Sequence, residues 1–122
     1  MQTHEQMIEA FLQGLAKKKL ELMPLSDNIL LASPLAPENE QPQGLEAVHH
    51  FLKTQVFPRA HLTGFTIHKH FHDGNETLTL WDAHYVSGKT VQIADYFVFD
   101  GKIALIKPYF DTKAFDLAIT KA

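Results

Sequence analysis

The chain contains no cysteine among its 122 residues, which excludes disulfides, zinc sites built on thiolates and thiol nucleophiles. It has no apolar run near the roughly 20 residues that a membrane-spanning helix needs. Its opening residues, MQTHEQMIEAFLQ, lack the basic and apolar regions of a secretory signal. From these absences we expect a cytoplasmic protein without a membrane partner.

The chain also lacks an excess of basic residues: Lys and Arg number 11 against 14 Asp and Glu, which gives a formal net charge of −3. Such a balance gives no electrostatic footprint for nucleic acid or for an anionic membrane. Hydrophobic residues make up 45% and charged residues 20%, which is an ordinary globular mixture. With a length near that of one common domain and no internal repeat, we expect a single domain over residues 1–122.

The first half of the chain predicts two helices. Thr3 and Gln6 have the spacing of a capping box at the start of the first helix. Apolar residues then recur at helical spacing in both helices: Met7, Ile8, Phe11, Leu12 and Leu15 in the first, and Leu45, Val48, Leu52 and Val56 in the second. Between them we expect a short strand over 28–33 and an irregular loop over 34–44, which holds three prolines.

The second half predicts a four-stranded antiparallel meander over residues 61–111. β-branched and aromatic residues alternate there at period two, and Asp73-Gly74, Ser87-Gly88 and Asp100-Gly101 suit tight turns. The tail, residues 112–122, is expected to form a short helix through Phe115, Ala118 and Ile119. The predicted class is therefore α+β, a curved antiparallel sheet covered by helices.

Two-residue turns would decide which side chains share a face of this sheet. They would place Asp82, His84 and Asp95 together on an apolar face that the helices cover. Two acids and a histidine in an apolar cup perturb each other's pKa values, as groups in functional sites often do. Asp95, His84 and Asp82 are therefore our catalytic candidates; the alternative is a half-exposed, salt-linked trio at the mouth of an ordinary core.

The same face supplies candidates for binding an apolar ligand. Lys69 is predicted on it, where it would neutralise Asp82 or bind an anionic ligand, or else extend past the rim. The other candidates are apolar: Phe65, Leu80, Phe97, Ile106 and Phe110 on this face, and Phe11 on the first helix. Aromatic residues at these spacings are also typical of a plain core.

The opposite face carries many large side chains for a solvated surface. They are Trp81, Tyr85, Tyr96, Val98, Leu105 and Tyr109. An exposed apolar patch of this kind marks an interface, so we expect a homodimer packed sheet to sheet. The alternative is that the C-terminal tail covers this face.

Three histidines, His68, His70 and His72, alternate along one predicted strand. Residues two apart on a strand are separated by roughly 6.5–7 Å, so all three cannot chelate one ion, although two could. Their predicted face points away from Asp82 and Asp95. We therefore expect solvated or dimer-contacting histidines, with no metal and no cofactor.

The run ADYFVFDGKIALIKPYFD and the earlier segment PLSDNILLASPL resemble the SnoaL-like branch of the nuclear transport factor two-like superfamily. The resemblance implies a cystatin-like α+β cone, in which a curved sheet wraps around N-terminal helices and encloses a central pocket. Members of the superfamily include cyclases, isomerases, epoxide hydrolases, binding proteins and a transport factor. The fold by itself therefore does not supply a function.

Particular enzymes of the superfamily resemble the chain at a few positions. In the steroid isomerases, an acid at the position of Asp95 donates to an enolate oxyanion, but their tyrosine and base positions fall on Phe11 and Ser33 here. In the limonene epoxide hydrolases, the arginine and last-acid positions fall on Leu80 and Pro108.

In the polyketide cyclases, an acid works with a nearby histidine, as His84 and Asp95 would. The resemblance implies a cofactor-independent acid/base enzyme, cyclase- or isomerase-like, acting on a small hydrophobic carbonyl compound, with Ser33 in the ligand pocket. The alternative is a non-catalytic ligand-binding or dimerisation module.

Overall fold

Five strands form one curved, mixed sheet, and the helices cover one of its faces. The computed structural model describes residues 2–120. The strands are β1 (Leu25–Leu31), β2 (Leu62–Asp73), β3 (Glu76–Tyr85), β4 (Thr90–Asp100) and β5 (Lys102–Tyr109), and they lie in the sheet in the order β1-β5-β4-β3-β2. The α-helices are α1 (His4–Lys17), α2 (Leu45–Phe51) and α3 (Thr112–Ile119). The predicted α+β class is confirmed. None of the described helices is long and apolar enough to cross a membrane.

Helix α1 begins and ends where its sequence requires. The predicted capping box between Thr3 and Gln6 is present. At the other end Lys18 adopts a left-handed conformation, with φ of 57°. Gly14 lies where a Cβ would come within 2.6 Å of the Met23 Cγ, so the absence of a side chain lets the following chain pack against the helix.

The predicted meander is present as β2 to β5, and the tail forms α3. Asp111 caps α3 by accepting from the Lys113 and Ala114 N–H groups. The predicted tail helix extended to residue 122, and its last two positions lie outside the described residues, as does residue 1. The predicted strand over 28–33 is β1, which pairs in parallel with β5, as at Leu31 and Ile106. The sequence had not predicted this pairing, which makes the sheet mixed.

The loop between β3 and β4 is one residue longer than predicted. The Tyr85 N–H donates to the Lys89 carbonyl oxygen at 2.9 Å, so residues 86–88 form a three-residue loop. Odd residues of β3 therefore lie beside odd residues of β4, as in the Thr79–Asp95 pair. Because side chains alternate along a strand, the predicted faces of β3 were wrong and are interchanged in the structure.

Two β-bulges change the register of the other strands. The first, between Ile67 and Lys69, turns the Lys69 side chain outward, where it is exposed and lies over the Phe71 ring at 4.9 Å. The predicted inward position of Lys69 was therefore wrong. The second, between β4 and β5, shifts the register by one residue, and the turn after Phe99 adds another, because Phe99 pairs with Ile103. Together they place Pro108 opposite Asp95, where two-residue turns predict Ile106.

We call the side of the sheet that packs against the helices the inner face and the opposite side the outer face. The inner face of β3 carries Trp81, Ala83 and Tyr85, all of them buried. Helix α2 continues into a π-helical turn, Leu52–Val56, in which the Phe57 N–H donates to the Leu52 carbonyl oxygen at 2.8 Å. Such turns are frequent at functional sites, and both end residues of this one reach the cavity described below.

Candidate functional site

A cavity of about 90 Å³ lies between the inner face and the helices. A single water molecule needs roughly 10–15 Å³ of such space, so the cavity has room for a small ligand. Its wall is almost entirely apolar: Phe11, Leu15, Leu31, Leu35, Phe51, Leu52, Val56, Ala60, Leu62, Ala83, Ile93, Ile106, Pro108, Phe110 and Phe115. The polar side chains in the wall are those of Asp95, Trp81, Tyr85 and Ser33.

Asp95 is the ionisable group at the centre of this site, and it is 2% exposed. The Trp81 indole N–H donates to its Oδ2 at 2.9 Å. Its Oδ1 is buried and has no hydrogen-bond partner among residues 2–120. Burial raises the pKa of Asp95 from 3.8 to about 7, and the Trp81 hydrogen bond opposes part of this rise.

The contact with Trp81 favours one oxygen of Asp95 as the site of the proton. An indole N–H can only donate, so Oδ2 is the acceptor. The carbonyl oxygen of a neutral acid accepts more strongly than its hydroxyl oxygen, so this contact favours the proton on Oδ1, the oxygen without a partner in the described chain. Because Asp95 lines the cavity, its neutral form offers a hydrogen-bond donor to a molecule bound there.

Tyr85 and Ser33 are the other polar groups of the wall with a hydroxyl. Burial raises the pKa of Tyr85 to about 12, so its hydroxyl keeps its proton at neutral pH. The Ser33 hydroxyl accepts from the Leu35 N–H at 3.1 Å, and the Ser33 N–H donates to Gln41 Oε1 at 2.7 Å.

Several of the residues predicted for the site line this cavity: Asp95, Phe11, Ser33, Ile106 and Phe110. Two other predicted ligand-binding residues belong to the packing around it. Phe97 is fully buried with its ring edge-on to Phe11 at 6.0 Å. Phe65 is partly buried and edge-on to Trp81 at 6.3 Å.

The predicted grouping of Asp82 and His84 with Asp95 was wrong, because the three-residue loop turns both side chains to the outer face. Asp82 Oδ2 there lies 2.8 Å from His68 Nε2. His84 contacts the Thr66 hydroxyl at 2.8 Å and that of Thr90 at 3.1 Å. Leu80 lies on the same outer face, as does Lys69, with which it pairs. The structure thus leaves all four away from the cavity.

The sequence prediction missed Trp81 and Tyr85, which it placed on the outer face. One signal favours the observed arrangement. Trp81, Ala83 and Tyr85 alternate with Asp82 and His84 along β3, and large aromatic side chains are buried more often than charged ones. Choosing the face by composition would have found them, whereas choosing it by assumed turn length did not.

The three alternating histidines separate between the two faces because of the bulge in β2. His68 contacts Asp82 on the outer face, contrary to the prediction that it points away from this acid. His70 and His72 lie beside Thr79 and Thr77 of β3, with ring nitrogens 2.8 and 2.9 Å from their hydroxyls. Residues 2–120 contain no group of three histidine, aspartate or glutamate side chains arranged to hold a metal ion.

The sequence matches no protein family model and no curated protein. Solved structures, however, share its fold. An NTF2-like protein of unknown function from Burkholderia pseudomallei is 17% identical, with 98% of this chain and 99% of that chain covered and a TM-score of 0.72. TerC co-crystallised with polyporic acid is 18% identical, with coverage of 94% and 96% and a TM-score of 0.71.

A third similar structure is a computationally designed 17-OHP binder, which is 15% identical, with coverage of 90% and 94% and a TM-score of 0.71. Other similar structures are described as NTF2-like or as having a cystatin-like fold. The chain therefore has the NTF2-like, cystatin-like α+β fold, and the predicted resemblance to the nuclear transport factor two-like superfamily is confirmed at the level of the fold.

Proposed function

We propose that this chain binds a small hydrophobic carbonyl compound in the Asp95 cavity. The observation that carries the proposal is the buried Oδ1 of Asp95, which has no partner among residues 2–120. A buried polar atom without a hydrogen bond is costly, so a ligand atom that pairs with it gains affinity. The neutral acid needs an acceptor, and a carbonyl oxygen is an acceptor that brings no donor of its own.

The apolar wall supports the rest of this ligand class. Ligand pockets are typically lined by hydrophobic and aromatic side chains with a few placed polar groups, as here. Similar folds hold small molecules: TerC was crystallised with polyporic acid, and another was designed to bind 17-OHP. These likenesses support a small-ligand pocket, and the carbonyl class follows from Asp95.

We further propose that Asp95 serves as the acid/base group of a SnoaL-like, cyclase- or isomerase-like reaction without a cofactor. A pKa of about 7 suits a group that gives up and takes back a proton near neutral pH. The ionised carboxylate would take an α-proton from the ligand, and the neutral acid formed in this way would donate a hydrogen bond to the enolate oxygen before it returns the proton to carbon. Asp82 and His84 have no part in this proposal, because they lie on the outer face.

A non-catalytic binding protein is the second candidate. Among the described residues that line the cavity, Asp95 is the only carboxylate, and no histidine or lysine accompanies it. Proton abstraction from carbon usually needs a base separate from the group that stabilises the oxyanion. This observation favours ligand binding without turnover.

Acetophenone and ethylbenzene test the proposal, since they differ only in whether a carbonyl group is present. Binding is followed by the fluorescence of Trp81, the single tryptophan, which lines the cavity. We expect acetophenone to bind about tenfold more tightly near pH 5.5 than near pH 8.5, because the Asp95 donor is lost as the acid ionises. Ethylbenzene should bind almost independently of pH.

The Asp95→Asn variant is the matched control, since its amide is neutral and can donate at every pH. It should bind acetophenone without pH dependence. Tighter binding of acetophenone above neutral pH, or equal affinity for both compounds throughout, would contradict the proposal. Deuterium uptake into the acetophenone methyl group in D2O, faster with the native chain than with Asp95→Asn, distinguishes an enzyme from a binding protein.

We propose, as a separate point, that the chain forms a homodimer through the outer face. Two neighbouring rows cross this face from β2 to β5: Phe71, Leu78, Tyr96 and Lys107, and Lys69, Leu80, Ala94 and Tyr109. Their aromatic corners, Phe71 and Tyr109, are 47% and 52% exposed. Trp81 and Tyr85, which the sequence had assigned to this face, are replaced in it by Leu78 and Leu80.

The pattern of these two rows is self-complementary. Two copies can face each other across a twofold axis that lies parallel to the sheet and passes through the centre of the patch. Whether this axis runs along the strands or across them, each lysine of one copy lies opposite an aromatic ring of the other. Lysines and aromatic rings attract each other, and a twofold dimer uses one surface twice. A second copy of the chain is therefore the partner that suits this surface.

A cytoplasmic location stays a prediction from the sequence.

A further inference from the structure

Within the segment between β1 and α2, residues 32–42 form a loop whose two ends lie close together. The Leu31 N–H donates to the Pro42 carbonyl oxygen at 3.1 Å. Compact loops with closed ends frequently have a function. This one contributes Ser33 and Leu35 to the wall of the cavity.

The side chain of Gln41 connects the parts of this loop. Its Oε1 accepts the Ser33 N–H at 2.7 Å, and its Nε2 donates to the carbonyl oxygens of Ala36 at 3.3 Å and Pro37 at 3.2 Å. One side-chain amide thereby satisfies three main-chain groups of an irregular segment, which would otherwise need water.

The groups that Gln41 holds are the ones that position Leu35. The Leu35 N–H donates to the Ser33 hydroxyl at 3.1 Å, and the Ala36 N–H donates to the Ser33 carbonyl oxygen at 3.2 Å. Most of the remaining wall belongs to helices and strands, where regular main-chain hydrogen bonds resist opening. An irregular loop that depends on one side-chain amide and a few main-chain hydrogen bonds is the kind of segment that opens locally at low cost.

We propose that Gln41 is the latch of the cavity: it holds Ser33 and Leu35 in the wall, and release of its three hydrogen bonds lets this part of the wall move away and widens the passage from solvent to Asp95. Gln41 is then a positioning residue, since it is not itself part of the wall. The inference rests on the proposed function in one respect: the molecule that enters through this passage is taken to be the small ligand of the cavity.

Acrylamide quenching of Trp81 tests the latch without any ligand, because a neutral quencher must enter the cavity to reach this buried indole. In Gln41→Leu we expect the quenching constant to rise roughly threefold and the amides of Ser33 and Leu35 to exchange faster. The dissociation of acetophenone should accelerate by a similar factor, while global unfolding changes much less.

Two further variants sharpen the experiment. Gln41→Glu keeps the acceptor for the Ser33 N–H and loses both donated bonds, so it should give an intermediate result. Gln43→Leu changes an exposed glutamine just beyond the loop and should behave like the native chain. Native-like quenching and ketone dissociation in Gln41→Leu would overturn the latch even if the two amides exchange faster. If the native chain binds no ketone but Gln41→Leu exposes Trp81 to acrylamide, the proposed function fails and the latch stands.

Discussion

Asp95 binds a proton more strongly in the folded chain than in the unfolded one, because burial raises its pKa from 3.8 to about 7. Between these two pH values only the folded state holds the proton, so stability must fall as pH rises through this window. Above about pH 7 the full penalty of burying the charge is present, and it corresponds to roughly 4 kcal/mol.

Asp95→Asn should therefore be about as stable as the native chain near pH 4 and more stable by roughly 2–4 kcal/mol near pH 8. The amide stays neutral and still accepts from Trp81, so the difference isolates the ionisation. Urea unfolding at a series of pH values measures it. Asp116→Asn, on the exposed surface of α3, is the control and should give no such trend. A parallel pH dependence in Asp95→Asn and the native chain would show that Asp95 ionises normally.

At the scale of single residues, the sequence located the buried acid but not its surroundings. Asp95 could be found because one carboxylate interrupts the apolar alternation of β4. Its donor, Trp81, lies on the neighbouring strand, and which face Trp81 occupies depends on the loop that joins the two strands. A contact between strands cannot be read from either strand alone.

At the scale of elements, the loop between β3 and β4 determines which face of β3 lines the cavity. Ser87-Gly88 is compatible with a two-residue turn and also with the three-residue loop that the structure has, in which Gly88 takes a φ of 88°. A change of one residue in loop length exchanges the two faces of the next strand. The positions of the strands in the sequence were therefore predictable, while the face of the sheet on which each side chain lies was not.

Helix α3 closes one end of the cavity, and its buried side chain Phe115 is the point to test. Phe115 lies edge-on to Tyr85 at 6.2 Å and beside Phe110 at 5.6 Å. Phe115→Ala should lower the free energy of unfolding by about 3 kcal/mol, because it removes a buried ring. It should also let the cavity bind ketones bulkier than acetophenone.

Leu117→Ala is the matched control on the same helix, since Leu117 is 59% exposed and its truncation should change stability by less than about 0.5 kcal/mol. Urea unfolding and the affinities of a ketone series measure both variants. If Phe115→Ala kept the size preference of the native chain, another element would have to close the cavity.

At the scale of the whole molecule, the fold was predictable because several independent signals agreed. The capping box at Thr3, the apolar stripes of α1 and α2 and the turn residues of the meander all indicate the same arrangement. The parallel pairing of β1 with β5 joins segments about 75 residues apart and has no local signal. The resemblance to a known superfamily supplied the cone, and the packing of β1 completes it.

The dimer is the last prediction, and it depends on the outer face remaining uncovered in the single chain. Leu80→Glu places a carboxylate near the centre of this patch, and a twofold dimer contains the change twice. We expect the dissociation constant to rise at least about 100-fold, because two charges would be desolvated in an apolar contact. Sedimentation equilibrium measures it, and thermal unfolding checks that the monomer stays folded. Gln92→Glu adds the same charge to an exposed outer-face position opposite Asp82, outside the patch, and should leave association unchanged. A native chain that remains monomeric at high concentration, or equal effects of the two variants, would exclude this surface as the interface.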